Sequence, residues 1–153
     1  DHDAMIVPEK DFFALANSGG TRCSTAYQVA LAHMQEHHPV DRCNNYLFHF
    51  SDGDNLPYDN EVCKNLVINL LNMCSMVGYG EIKYKDDADF YGWTGGGPTA
   101  TYGTLQTKLK EITHPDMKNV MHPRLIVTTI AHQKELYQTL EKFLKKPEQS
   151  VKP

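Results

Sequence analysis

Two aspartates separated by a single glycine, Asp52 and Asp54 in Ser51-Asp52-Gly53-Asp54-Asn55, are the side chains whose types and spacing best suit chemistry. Such a pair could serve a metal-dependent phosphate-transfer or hydrolytic enzyme, with one carboxylate as nucleophile. That reaction also needs a base and phosphate-binding donors nearby, and no such set is legible. The same residues make an Asx-type turn after a strand equally well. A second polar loop, Ser18-Gly19-Gly20-Thr21, lacks the glycine-spaced lysine of a phosphate-binding P-loop, as does Gly95-Gly96-Gly97. A nucleotide enzyme is therefore a poor fit. Thr21 and Ser24 lie where a helix should begin, and capping that helix is their simplest role.

Histidine and cysteine offer other chemistry. His33 and His37 share one helix face and His38 follows, which suits zinc, but the sequence fixes no third ligand and holds no HExxH arrangement. Solvated histidines at a helix end are the default reading. His49 alternates with Phe48 and Phe50, so in a strand it faces away from them. Cys63 and Cys74 fall in one expected helix, roughly 16 Å apart along its axis, too far to bridge. With Cys23 and Cys43 they read as reduced thiols of a cytoplasmic protein.

The elements that must carry these residues follow from hydrophobic period. Ala4-Met5-Ile6-Val7 reads as the end of a strand stopped by Pro8, and Phe12-Phe13 as anchors to the core. A helix is expected over 24–37, limited by Pro39. Residues 45–50 read as a strand, 60–76 as a helix ended by Gly78 and Gly80, and 81–84 as a short strand. Residues 85–101 make a polar, glycine-containing loop. Leu105, Leu109 and Ile112 mark a short helix. Leu125-Ile126-Val127-Thr128-Thr129-Ile130 suits a parallel sheet covered on both faces. Residues 134–144 make the last helix. Alternation of strands and helices predicts an α/β three-layer sandwich with a mainly parallel sheet. Ligands of such folds sit beyond the carboxyl ends of strands, where the Gly19-Gly20-Thr21 and Asp52-Gly53-Asp54 loops are expected.

The chain has 153 residues, enough for one domain, and a net charge of −4 with its eight histidines neutral. Neither nucleic acid nor an anionic membrane is favoured by that charge. No apolar run is long enough for a transmembrane helix. The domain is expected over 1–146, with 147–153 as a flexible polar tail.

Glu9-Lys10-Asp11-Phe12-Phe13, Ser18-Gly19-Gly20-Thr21-Arg22, Ser24-Thr25-Ala26 and Ser51-Asp52-Gly53-Asp54-Asn55, in this order, resemble the bacterial DUF444 family of YeaH- and YhbH-like proteins. The resemblance is good over residues 1–84 and looser beyond. It implies a partial von Willebrand factor A-like, Rossmann-like domain. Such domains hold a metal ion on three loops, and here Thr21 matches the second loop and Asp52 the third. Ser24 and Asp54 are neighbouring candidates, and Gly19, Gly20 and Gly53 shape the loops. The first loop, Asp-x-Ser-x-Ser, does not occur, so strand one is expected upstream of this chain. Its absence would leave the edge of the 45–50 strand open to self-association. The resemblance further implies magnesium in the intact parent and no cofactor in this segment alone. It implies a stress- or sporulation-associated role through protein–protein interaction, with a PrkA-type serine kinase system as partner. A metal-dependent enzyme using Asp52 and Asp54, and a scaffold with a vestigial site, are the alternatives.

Overall fold

Residues 3–14, 22–83 and 104–144 are described by the computed structural model, the side chain of Phe13 aside. Near-continuous apolar runs become a parallel sheet. Strand β1 (Asn45–Ser51), β2 (Cys74–Ile82) and β5 (Leu125–Ile130) lie in the order β1-β2-β5, so β2 is central. Both pairings are parallel, with Phe48 opposite Gly78 and Val77 opposite Leu125. Helices α2 (Cys23–His37) and α3 (Asp59–Leu71) are joined through β1 and precede β2. Helix α4 (Leu105–Lys110) is capped by Thr104, whose Oγ1 accepts from the Thr107 N–H at 3.3 Å. Helix α5 (Glu135–Leu144) closes the described chain.

Strand alternation divides the core. Val77 and Tyr79 of β2 join Tyr27, Val67, Leu70, Leu105, Leu109 and Leu125 in one cluster with α2, α3 and α4. The opposite face of β2 carries Gly78 and Gly80. A Cβ on Gly78 would lie 2.5 Å from Phe143 Cδ2, and one on Gly80 would lie 2.9 Å from Phe50 Cδ1. The missing side chains thus admit aromatic rings, and Phe143 of α5 stacks on Phe48 with centroids 5.2 Å apart. Helices cover both faces of the sheet, as the α/β three-layer expectation required.

Several boundaries differ from those expected. The 60–76 helix stops at Leu71, and Asn72 and Met73 close its end by donating to Asn69 and Leu70 carbonyls. Gly78 and Gly80 are strand residues, because rings fill the space beside them. Cys63 and Cys74 consequently sit on different elements, and both are free. Residues 4–7 form no strand: Met5 is 71% and Ile6 61% exposed. Helix α1 (Glu9–Ala14) follows Pro8, and Phe12 is 63% exposed rather than buried in the core. An unexpected hairpin, β3 (Thr113–His114) with β4 (Met117–Met121), precedes β5. The 85–101 loop and the 147–153 tail lie outside the described residues.

Candidate functional site

Strand β1 ends at Ser51 and delivers Asp52, Gly53 and Asp54 to the carboxyl edge of the sheet. Ser51 Oγ accepts from the Gly53 N–H at 3.1 Å, and Asp52 Oδ1 accepts from the Asp54 N–H at 3.0 Å. The second bond is the Asx turn that the sequence suggests. Asp52 and Asp54 are exposed, and Asp52 Oδ2 has no hydrogen bond among the described residues. Gly53 has φ 90°, and a Cβ there would lie 3.0 Å from Glu81 Cδ. Glycine is needed on both counts.

Glu81 lies beneath this turn at the end of β2, only 4% exposed. Its Oε1 is 3.3 Å from Lys83 Nζ, while Oε2 has no hydrogen-bond partner among the described residues. The Tyr79 hydroxyl and the Ser24 hydroxyl are likewise buried without a partner in good geometry among the described residues. Burial, reinforced by the Glu81 charge, pushes the Tyr79 phenol well up.

The amino end of α2 meets this edge. Asn55 Oδ1 accepts from the Cys23 N–H at 3.0 Å, and Asp59 Oδ2 accepts from the Ser24 N–H at 2.9 Å. Two unpaired donors of the first helical turn are thereby satisfied from the loop after β1 and from the first residue of α3. Asn55 Nδ2 donates to Asn60 Oδ1 at 2.7 Å, and the Cys63 thiol donates to Asp59 Oδ2 at 3.2 Å. Arg22 Nε stands 3.9 Å from Asp59 Oδ1. Burial would raise the Asp59 carboxyl, but the neighbouring Ser24, Cys63 and Asn55 outweigh it and hold the group below its usual value. Asp59 thus caps α2 rather than α3, whose first turn begins after Tyr58 with no side-chain cap.

Burial, then Asp59, Asp52 and Asp54, raise the Cys23 thiol to about 11. Burial likewise raises Cys74 to about 11. Neither is an activated nucleophile. His49 faces Tyr27 and Tyr79, opposite to its Phe neighbours as alternation requires. Its Nδ1 lies 2.7 Å from the Tyr27 hydroxyl, and burial lowers its pKa to about 4.

Of the sequence candidates, Asp52, Gly53 and Asp54 share one exposed turn. Ser24 is sealed beside Asp59. Gly19, Gly20 and Thr21 lie outside the described residues. Among the described residues, no group of three or more His, Cys, Asp or Glu side chains stands where it could hold a metal ion. Magnesium is commonly held by one or two carboxylates and several waters. Asp52 is exposed and has one oxygen without a hydrogen bond among the described residues, whereas Ser24 is buried. Sequence reasoning missed Asn55, Asp59 and Glu81. Asn55 and Asp59 carry the signature of ordinary turn and cap residues, and nothing local tells that their partners lie in α2. A separate cleft of about 280 Å³, lined by Lys64, Ile68, Leu71 and His122 among others, includes none of these residues.

The family model described as "Protein of unknown function (DUF444)" matches residues 1–147. The chain belongs to the DUF444 family. It is 36% identical to a UPF0229 protein of Halalkalibacterium halodurans over 149 residues, covering 97% of this chain and 33% of that protein. It is 50% identical to a UPF0229 protein of Bacillus thuringiensis over 80 residues, which is 52% of this chain and 20% of that one. A Bacillus cereus UPF0229 protein is 49% identical over 80 residues. The DUF444 chain described here thus spans a third or less of the length of these bacterial relatives. No solved structure matches it. No helix among the described residues is long and apolar enough to cross a membrane.

Proposed function

We propose that the intact DUF444 protein acts in the cytoplasm through protein–protein interaction, without bond-breaking chemistry, and that magnesium held partly by Asp52 assists it. In this reading the domain is von Willebrand factor A-like. Thr21 and an upstream loop supply the other ligands, and an acidic group on the partner takes an open position on the metal. A stress- or sporulation-linked PrkA-type serine kinase system is the proposed partner. The observation that carries the reading is the Asp52 turn. It presents an exposed carboxylate with an uncommitted oxygen at the carboxyl end of a parallel strand, backed by Gly53 closed down on Glu81. Four free cysteines suit a reducing compartment. Strand β1 is at the edge of its sheet among the described residues, and its free edge is proposed to pair with another chain or another part of the protein.

The test is titration calorimetry with magnesium and manganese on this chain and on the protein at the length of its relatives, each with and without Asp52→Ala. Binding by the long form alone, lost in Asp52→Ala, supports a metal site completed by residues outside this chain. Equal binding by both variants, or partner capture that ignores magnesium, refutes the bridging role.

A further inference from the structure

Helix α2 runs from the Asp52 edge to the opposite edge of the sheet, and its last turn gathers three imidazoles. The ring centroids of His33 and His37 are 4.6 Å apart, those of His33 and His38 5.1 Å, and those of His37 and His38 6.4 Å. His33 and His37 meet because residues four apart share a helix face. His38 joins them because the chain is held as it leaves the helix. The His38 N–H donates to the Met34 carbonyl at 2.9 Å, and Asn45 Nδ2 donates to the His38 carbonyl at 2.8 Å. Asn45 also reaches the Met73 carbonyl at 3.2 Å, so the anchor belongs to the sheet. The third ring, which sequence spacing alone does not fix, is therefore held near the other two by the fold.

We propose that His33, His37 and His38 form a surface site for a borderline divalent transition ion of the zinc class. Three imidazoles on one tetrahedral zinc, with Zn–N near 2.0–2.1 Å, place their ring centroids about 5 Å apart. The three observed separations bracket that value. Among the described residues no group of three His, Cys, Asp or Glu side chains stands where it could hold a metal ion as placed, so the site forms only when the rings turn. His37 and His38 are exposed and His33 is half-buried, so the first two rings have solvent to turn into. Glu36 Oε2 is 3.7 Å from His37 Nε2 and can orient that ring or, with water, complete the coordination. The helix carboxyl end also favours a cation. Imidazole donors select zinc, copper or nickel over magnesium. The 15-residue α2 sets this site roughly 20 Å from the Asp52 edge, so the two readings stand or fall separately.

Zinc chloride is titrated calorimetrically into the full chain and into His33→Gln, His37→Gln, His38→Gln, His122→Gln and Asp52→Ala, with circular dichroism as the check on folding. The expected result is one site, weakened about tenfold or more by each of the first three substitutions and unchanged by the last two. Nuclear magnetic resonance should show the three ring signals shifting together at one equivalent of zinc. Wild-type affinity in His38→Gln would reduce the site to a helix pair and overturn the proposal. So would an absence of zinc binding, or weakening by Asp52→Ala or His122→Gln equal to that from the triad variants.

Discussion

His49 should make the domain lose stability as pH falls from 7 to 5. Its ring stands edge-on between Tyr27 and Tyr79, with centroids 5.3 and 5.2 Å away, and its Nδ1 is 2.7 Å from the Tyr27 hydroxyl. Burial lowers its pKa from 6.5 to about 4. The folded state therefore holds the neutral ring, while the unfolded chain takes up a proton near pH 6.5. A depressed histidine costs stability progressively below the unfolded value, and the loss levels off only below the folded one. Integrating between those values gives a loss of about 2 kcal/mol between pH 7 and pH 5. The assay is urea unfolding at both pH values, followed by circular dichroism, for the parent and for His49→Gln. Glutamine retains a hydrogen-bonding partner for Tyr27 but does not titrate. His122, which burial, Arg124 and His114 also shift downward, contributes equally to both proteins and cancels in the comparison. The variant should lose about 2 kcal/mol less than the parent over this interval. Equal losses would refute the claim that the fold holds His49 neutral.

Gly78→Ala should destabilise by about 2–3 kcal/mol in denaturant unfolding, because its Cβ would meet Phe143 Cδ2 at 2.5 Å. Adding Phe143→Leu should recover part of that loss, and strictly additive losses would show that the two residues do not share the space. Asp59→Asn should cost about 1–3 kcal/mol near neutral pH by weakening the bonds from the Ser24 N–H and the Cys63 thiol. Because the Asp59 pKa is lowered on folding, its contribution is present above the unfolded value near 4 and fades as pH falls through the folded one. The gap between parent and variant should therefore narrow in acid, and a gap independent of pH would count against the carboxylate.

Where local pattern and tertiary demand agree, the elements were legible. β5 coincides with its apolar run, α2 ends before Pro39, and His49 faces away from Phe48 and Phe50 as strand alternation requires. The boundary between α3 and β2 was not legible for a definite reason. Met73 and Val77 continue the spacing of the α3 stripe, and Gly78 and Gly80 resemble helix stops until Phe143 and Phe50 are seen against them. The hairpin was missed because β3 has two residues and β4 is exposed throughout, so neither shows alternation. At the site, the Asp52 turn follows from Asp-Gly-Asp chemistry. The reach of Asn55 and Asp59 into α2 does not, since side-chain capping is a local signal in sequence and is supplied here across the fold. Glu81 was read as the start of a strand rather than its buried end, so its place under Gly53 could not be anticipated.

The way α2 begins bears on the order in which the chain folds. Its first-turn donors are satisfied by side chains 32 and 35 residues further along. A chain that has formed only α2 and β1 lacks those partners, and the loop must close before their reward arrives. The far end of the helix relies on nearer partners: the His38 N–H finds the Met34 carbonyl within one turn, and Asn45, 7 residues on, holds the His38 carbonyl. Helix α2 should therefore mature from its histidine end toward its cysteine end, with the Cys23 turn set only once α3 has docked. Substitutions at Asn55 and Asp59 would then act mainly by hastening unfolding and would leave the folding rate nearly unchanged.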